Sequence, residues 1–261
     1  MSNSLQTEIP PKNRNDIVLA SGGVNPELAN RVAEAIGVET AQVKLKRHAN
    51  DELDVRFEET VRGKDVYVIQ SHASTDDYKI SEAVIEHLWL CSAAVGASAQ
   101  SVTAIAPYLA HSRGDRKSEG REVVPAPQLI RFFEATDVSA MMSIDLHSPQ
   151  TVEHLRTGPY EHLTAQPELR RAVKAYIGAE AVANCVVVAP DAGAMKNNNR
   201  HAQELSYEEG VDVQAIFMGK ERARHDTTQL SRLPTVQGVE GKTCLIFDDM
   251  IDGGGTMITA S

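Results

Sequence analysis

Short segments rich in apolar residues alternate along the chain with segments in which apolar residues recur at helical spacing. Most of the short segments are nearly continuous apolar runs of four or five residues, as in strands buried on both faces of a parallel sheet, whereas residues 43–46 and 53–57 alternate apolar and charged residues. They predict strands at residues 17–20, 43–46, 53–57, 66–70, 102–106, 141–144, 186–189, 213–217 and 244–247. The helical spacing predicts helices near Pro26, from Ile80 through Val84 and Leu88 to Cys91, and at residues 125–134, 168–177 and 198–209. We expect Trp89 to pack in the core beside the second helix.

This alternation predicts an α/β protein with mostly parallel sheets flanked by helices. The 261 residues suit two domains better than one. We expect a disordered tail at residues 1–15, one domain at 16–163 and a second at 164–261. Since the sequence stops barely one turn into the helix expected after residue 256, we expect the second domain to be incomplete and the chain to be truncated.

The composition of the chain argues against several classes of function. Acidic residues outnumber basic ones by 36 to 26, which argues against a general nucleic-acid or membrane-surface binder. No apolar run approaches the ~20 residues of a membrane span, and the polar amino terminus lacks a signal-peptide core. Cys91, Cys185 and Cys244 are widely spaced in apolar segments, which favours buried free thiols and a cytoplasmic location.

The segment from residue 244 to 256 combines a strand, an acidic pair and a glycine loop. Asp248 and Asp249 follow the apolar run, where open α/β sheets place their ligands. Glycines 253–255 can bend the backbone so that its N–H groups surround an anion, and Thr256 can cap a following helix. Carboxylates for ribose hydroxyls beside a loop for phosphate indicate a sugar-phosphate site. An ordinary strand-to-helix turn is the alternative.

A basic cluster follows the strand at residues 102–106. Arg113, Arg116, Lys117 and Arg121 stand together in an acidic protein and are candidates for a polyphosphate clamp. A solvated loop with ion pairs to Asp115, Glu119 and Glu122 explains the same charges equally well.

Four other polar segments end strands or hairpins. If the chain is extended after residue 144, Asp145 and His147 lie on the same side, although a structural histidine is the favoured reading from chemistry alone. Asp191 can bind a metal or ribose, or cap a helix. Lys220 and Arg222 can close over a polyphosphate, but a plain charged loop is favoured without further context. The turn at Asn50, Asp51 and Glu52 can be a simple hairpin connection.

These segments together resemble the ribose-phosphate pyrophosphokinase family. The resemblance rests on Asp-Asp-Met-Ile-Asp before glycine 253, Asp-Arg-Lys-Ser-Glu-Gly-Arg-Glu from Asp115, Asp-Leu-His-Ser from Asp145, Pro-Asp-Ala-Gly around Asp191, and the Lys-x-Arg spacing of Lys220. The motifs occur in the family's order. Residues that depart from the usual pattern are His48 for phenylalanine, Gly114 for glutamine and Gly253 for threonine.

The resemblance implies two phosphoribosyltransferase-like domains and Mg²⁺-dependent transfer of pyrophosphate from ATP to ribose 5-phosphate. It also implies a role for each motif: ATP binding by Asn50, Asp51, Glu52, Arg113 and Gly114; metal binding by His147 and Asp191; catalysis by Lys220 and Arg222; ribose 5-phosphate binding by Arg222, Asp248, Asp249, Asp252, Gly253, Gly254, Gly255 and Thr256. Assembly into a homo-oligomer, a dimer or hexamer, is likewise implied. A catalytically weak synthetase-like subunit and a phosphoribosyltransferase are the alternatives.

Overall fold

We describe the fold from a computed structural model, in which residues 16–190, 193–217, 238–251 and 253–254 are described. The chain divides into two compact units between Leu163 and Thr164. The strands are β1 (Ile17–Ser21), β2 (Val43–Arg47), β3 (Leu53–Phe57), β4 (Asp65–Ile69), β5 (Ser101–Ala106), β6 (Ala140–Ile144), β7 (Tyr160–Leu163), β8 (Cys185–Ala189), β9 (Gln214–Phe217) and β10 (Thr243–Leu245). The helices are α1 (Pro26–Ile36), α2 (Ile80–Gly96), α3 (Pro125–Glu134), α4 (Gln166–Ile177) and α5 (Met195–Glu209), with short 3-10 helices at Pro149–His154 and Ala179–Asn184.

The first unit is built on a five-stranded sheet in the order β1-β4-β5-β6-β7, and every pair in it is parallel. Strand residues alternate between its faces. Leu19 packs with α1 on one face, and Ala20 belongs with Leu90 and Phe133 to the larger core formed with α2 and α3 on the other. Because all five strands run the same way, their carboxyl ends share one edge.

Local sequence explains where the first helix begins and ends. The side chain of Asn25 accepts a hydrogen bond from the N–H of Leu28 at 3.2 Å, and Pro26 occupies the first helical position, where no N–H is needed. Gly37 ends the helix with φ of 71°, a left-handed conformation that glycine adopts without steric cost.

Strands β2 and β3 form a separate antiparallel hairpin. Their side chains alternate between exposed and half-buried positions, as expected for a strand with one solvated face. Val43, Leu45, Val55 and Phe57 form the inner face and pack against the larger core, so the hairpin is fixed to the first unit.

The second unit contains a three-stranded parallel sheet in the order β10-β8-β9. The central strand β8 is buried along its whole length, and Leu205 of α5 packs with Leu245 and Phe247 in the core beside it. Helix α4 is joined to α5 by Arg170, which is 6% exposed and donates to Glu208 at 3.0 Å.

The predicted class of α/β protein with mostly parallel sheets is confirmed, and each strand and helix predicted up to residue 247 is found with boundaries shifted by a few residues. The helix expected after residue 256 lies outside the described residues. The short strand β7 was not predicted, because the polar sequence Tyr160–Leu163 lacks an apolar run. The described helices include none that has both the length and the apolar character required to cross a membrane.

Two predicted core positions are wrong. Trp89 is 45% exposed because it shares the outer face of α2 with Ile85, one turn earlier, whereas Leu88 and Cys91 face the sheet. Cys244 is exposed because β10 is an edge strand in the described part of the second unit. The next residue, Leu245, is the buried residue of this strand. Cys91 and Cys185 are buried free thiols, as predicted.

Two histidines lie completely buried in the larger core of the first unit. Ala110 donates its N–H to His72 Nδ1 at 3.1 Å, His72 Nε2 lies 3.0 Å from His87 Nδ1, and His87 Nε2 lies 3.2 Å from the oxygen of Val68. One assignment satisfies all three contacts: both rings are neutral and carry the proton on Nε2. The ring of Phe133 packs against both histidines.

This arrangement predicts acid lability. Burial lowers the pKa of His87 to about 3, and burial followed by the nearby histidines lowers the pKa of His72 well below 6.5. The unfolded state therefore takes up more protons below pH 6.5 than the folded state, and stability falls as the pH falls from there. We expect the slope of the unfolding free energy against pH to increase as the pH falls below 6.5 and to approach about 1.4 kcal/mol per pH unit for each histidine, measured by urea denaturation between pH 7 and pH 5.

The variant H72Q/H87Q tests this assignment. Its amides retain hydrogen-bonding capacity without titrating in this range, so it should lose the pH dependence. The variant H154Q, at an exposed position, should retain it. An unchanged slope in H72Q/H87Q would place the acid lability elsewhere.

Candidate active site

The carboxyl edge of the first sheet brings two of the predicted segments together. The basic loop begins at Pro107 after β5, and Asp145 and His147 follow β6, the next strand of the sheet. The N–H of Ile144 donates to the oxygen of Pro107 at 3.0 Å, so the two segments start side by side. A polyphosphate clamp and a metal ligand at this edge are thus compatible with the fold.

The segment after β6 is held in an unusual backbone conformation. Asp145 has φ of 44°, in the left-handed region, so the condition under which Asp145 and His147 lie on the same side, an extended chain after residue 144, is not met. The turn is fixed from β7: the N–H of Asp145 donates to Leu163 at 2.9 Å, and the N–H of Leu146 donates to His162 Nε2 at 2.9 Å. Leu146 is buried, whereas His147 is exposed. The fold therefore presents the imidazole of His147 to solvent on an anchored turn.

The basic loop is folded by its own acidic residue. Glu122 accepts hydrogen bonds from the N–H groups of Ser118 and Glu119 at 2.8 and 2.9 Å, and these bonds lower the pKa of its carboxyl group. One of the acids expected to pair with the loop's cations is thus bonded to the backbone instead. The exposed cations of the loop are Arg113, Arg116, Lys117 and Arg121.

Left-handed backbone angles are concentrated in these loops. Six non-glycine residues in the described part of the chain have positive φ, and four of them, Asp51, His111, Arg121 and Asp145, lie in the segments predicted to bind ligands. Such angles are costly for residues with a Cβ and persist where the surrounding contacts fix them, as at binding sites.

Gly114 has a structural reason to lack a side chain. A Cβ atom there would lie 2.4 Å from Cγ of Pro125, the first residue of α3, and 2.7 Å from its Cδ. The N–H of Ala126 also donates to the oxygen of Gly114 at 3.2 Å. The loop thus packs directly onto the start of α3 at the position where related sequences usually carry glutamine.

The predicted nucleotide turn (residues 48–52) lies between β2 and β3 and is anchored to α2. Within the turn, His48 N–H donates to Glu52 oxygen at 2.9 Å, and Asp51 has φ of 66°. Arg47, just before the turn, donates to Glu82 of α2 at 2.8 Å, and this pair raises the pKa of Arg47 and lowers that of Glu82. Asn50, Asp51 and Glu52 are exposed on a hairpin whose base is fixed.

In the second unit, the acidic pair follows the buried end of β10. Asp248 is half-buried, Asp249 is exposed, and the N–H of Asp249 is bound by the Asp248 carboxylate at 2.9 Å. The preceding residue, Phe247, is held by the side-chain amide of Asn198 from α5, which bonds both its N–H and its oxygen.

The glycine loop is described only at Gly253 and Gly254. Gly254 has φ of 70°, which favours glycine, whereas a Cβ at Gly253 would meet no atom within 4 Å. The predicted site residues that lie outside the described part of the chain are Asp191, Lys220, Arg222, Asp252, Gly255 and Thr256.

Comparison with known proteins gives the family. Residues 17–136 match the N-terminal domain of ribose phosphate pyrophosphokinase, and residues 159–261 match the phosphoribosyl transferase domain. A ribose-phosphate pyrophosphokinase of Corynebacterium efficiens is 34% identical over 249 residues, which are 95% of this chain and 73% of that protein. The chain belongs to the ribose-phosphate pyrophosphokinase family. Its resemblance to that family, and two phosphoribosyltransferase-like domains, are thereby confirmed.

Other relatives agree with this assignment. A ribose-phosphate pyrophosphokinase of Bifidobacterium longum is 34% identical over 96% of this chain and 70% of that protein. The crystal structure of phosphoribosylpyrophosphate synthetase from Mycobacterium smegmatis has a TM-score of 0.79 and 31% identity, covering 94% of this chain and 75% of that one.

Three residues near the family's motifs escaped the sequence analysis. Arg47 and His162 anchor the nucleotide turn and the turn at Asp145, and Asn198 holds the strand before Asp248. A signal existed for Asn198, since a run of three asparagines is unusual at the start of a helix. No local pattern marks His162, which reaches its partner across the sheet.

Gly114→Gln, which introduces the residue usual in the family, should destabilise this chain. The new Cβ would overlap Pro125, and overpacking of this kind costs about 1–3 kcal/mol. The measurement is the free energy of unfolding in urea. Gly120→Gln is the matched control, because a Cβ at Gly120 meets nothing within 4 Å. The double variant G114Q/P125A should recover most of the loss, and equal stability of G114Q and wild type would contradict the packing argument.

Proposed function

We propose that this chain transfers pyrophosphate from ATP to the anomeric hydroxyl of ribose 5-phosphate, giving phosphoribosyl pyrophosphate and AMP. The observation that carries the proposal is the 34% identity to a ribose-phosphate pyrophosphokinase across 95% of the chain. The predicted ligand loops lie after strands β6 and β10 and between β2 and β3, where the fold exposes polar side chains. The comparisons do not favour a catalytically weak subunit or a phosphoribosyltransferase.

The first unit would bind ATP. Arg113 would contact the polyphosphate through a bidentate guanidinium, and the turn at Asn50, Asp51 and Glu52 would contact the nucleoside. Both segments have anchored ends and exposed tips, which supports this role. Gly114 contributes no side chain and would serve by letting the loop pack on α3.

The second unit would bind ribose 5-phosphate. The carboxylates of Asp248 and Asp249 accept hydrogen bonds from sugar hydroxyls, and the backbone of residues 252–256 would donate N–H groups to the phosphate. The left-handed angle of Gly254 supports an anion-binding turn.

The residues proposed as metal ligands fit Mg²⁺ when water and substrate phosphates complete its coordination. The described residues contain no group of three or more His, Cys, Asp or Glu side chains able to hold a metal ion. Mg²⁺ in phosphate-transfer sites keeps several waters and binds one or two carboxylates together with substrate phosphates, which suits Asp191 as a ligand, whereas His147 is a ligand implied by the family resemblance. Bound Mg²⁺ would supply positive charge against the polyphosphate, with His147 as a ligand in the first unit and Asp191 as a ligand in the second.

Transfer then requires alignment and charge neutralisation. The anomeric hydroxyl of ribose 5-phosphate loses its proton to solvent, and its oxygen forms a bond to the β-phosphorus of ATP as the bond from that phosphorus to the oxygen bridging it to the α-phosphate breaks, so that AMP leaves. Lys220 and Arg222 would stabilise the charge on the transferred group, and Arg222 would also contact the sugar phosphate. Holding both substrates in line would contribute a large part of the rate.

We further propose a cytoplasmic homo-oligomer, a dimer or hexamer. Family membership and the exposed apolar side chains on α2 and α3, among them Trp89 and Phe132, support assembly. We also propose that the two units correspond to domains at residues 16–163 and 164–261.

Lys220→Ala tests the activity and the catalytic assignment together. Wild type should release AMP from ATP when ribose 5-phosphate is present and not when it is absent. The variant should lose a factor of about 100 or more in turnover with little change in ribose 5-phosphate affinity, because the charge acts in the transition state. Lys242→Ala, which removes an exposed lysine before β10, should behave as wild type. Turnover of K220A within a factor of about two of wild type would exclude the assignment.

Gly253→Thr tests the phosphate loop. The side chain enters open space and the backbone angle at this position is not left-handed, so the loop should accept it. The added hydroxyl can donate to phosphate, a charge-assisted hydrogen bond of about 1.5–3 kcal/mol, and titration calorimetry should show tighter ribose 5-phosphate binding. Gly253→Val has the same shape without the hydroxyl and should not show the gain. Equal affinities of the two variants would contradict a phosphate contact at this position.

A further inference from the structure

Beyond the end of the edge strand β10, a side chain hydrogen-bonds to the backbone of the chain. Strand β10 pairs with β8 as far as Leu245, which lies opposite Val187. Two residues later, the N–H of Phe247 donates to Asn198 Oδ1 at 3.2 Å, and Asn198 Nδ2 donates to the oxygen of Phe247 at 3.0 Å. The amide of Asn198 thus presents an acceptor and a donor to one residue, as a paired peptide unit would.

The orientation of this amide is determined by its partners. Asn198 is 0% exposed, and its Nδ2 also donates to the oxygen of Ala194 at 3.0 Å, one turn earlier in the chain. Reversing the amide would place Oδ1 against two carbonyl oxygens and Nδ2 against an N–H group, so one orientation satisfies all three contacts. A buried amide with all of these bonds made is a rigid support.

The same helix also fixes the side chain of Phe247. The ring of His201, three residues after Asn198, stacks on it with centroids 3.8 Å apart and planes within 4°. Both His201 and Phe247 are buried. Helix α5 therefore holds the backbone and the ring of the residue that immediately precedes Asp248.

From this geometry we infer that Asn198 is a positioning residue for the acidic pair Asp248 and Asp249. It fixes the last backbone unit before the carboxylates and so sets the direction in which they leave the sheet. The inference rests on the proposed function, in which these carboxylates hold the ribose hydroxyls. Asn198 would contact no substrate itself, and its loss would act through Phe247.

Removing the amide should loosen this attachment, because it leaves the Phe247 N–H and oxygen without their buried partner. Asn198→Leu keeps the approximate volume and removes both bonds. Asn198→Asp keeps the acceptor for the Phe247 N–H but turns an oxygen toward two carbonyl oxygens. Asn199→Leu, one residue along the same helix, is the matched control. Asn198→Ser, a smaller change, replaces Asn198→Leu if that protein does not fold.

The experiment combines hydrogen exchange with substrate affinity, both on the full chain. In N198L the amide of Phe247 should lose protection while those of Val186 to Val188 in β8 keep it. The KM and the calorimetric Kd for ribose 5-phosphate should rise about tenfold or more, and the KM for ATP should change less than about twofold. N198D should give a similar selective loss, and N199L should match wild type.

Three outcomes would overturn the inference. One is loss of Phe247 protection without a change in ribose 5-phosphate affinity, and another is unchanged protection of Phe247. The third is a parallel weakening of both substrates with loss of protection throughout β8, which indicates a general structural role. Failure of the proposed function is distinguishable, because wild type itself would then neither bind ribose 5-phosphate nor release AMP.

Discussion

The common direction of the parallel strands is the constraint on which the candidate site depends. Parallel pairing places all the carboxyl ends of a sheet at one edge, so the segments after β5 and β6 in the first unit become neighbours although they are far apart in sequence. In the second unit, the parallel pairing of β10 with β8 ends at Leu245, after which the chain turns toward helix α5. Ligand-binding residues then need only to follow a strand, and the sheet supplies their proximity.

Strand and helix positions were readable from the sequence because buried parallel strands and amphipathic helices impose strong local patterns. The polar residues at the ends of strands were readable as candidate site residues because they follow the apolar runs directly, although each also had a structural explanation. The exposed side of α2 was not readable, because Trp89 is apolar and directly follows Leu88, which belongs to the buried face of the helix. Strand β7 was missed because its stability comes from pairing with β6 rather than from its own apolar character.

The supports behind the site were the least predictable part. Arg47, His162 and Asn198 each bind a partner that is distant in sequence. A hydrogen bond between separate elements produces no periodic pattern in the sequence. The left-handed angle at Asp145 was invisible for the same reason, since the contacts that fix it come from β7. Sequence reasoning thus proposed the groups that would contact a ligand, and it missed the neighbouring residues that fix their backbone.

The buried pair of His72 and His87 affects which substitutions this core can accept during evolution. Its hydrogen bonds run in one direction, from the N–H of Ala110 through His72 and His87 to the oxygen of Val68. Replacing either ring by an apolar residue takes the partner from one buried backbone group and from the other imidazole, and replacing the second ring as well leaves no more groups without that partner than the first replacement did. Descendants of this sequence should therefore exchange the two histidines together more readily than one at a time. Such a pair would be inherited as one unit, although His72 lies in the loop after β4 and His87 lies in α2.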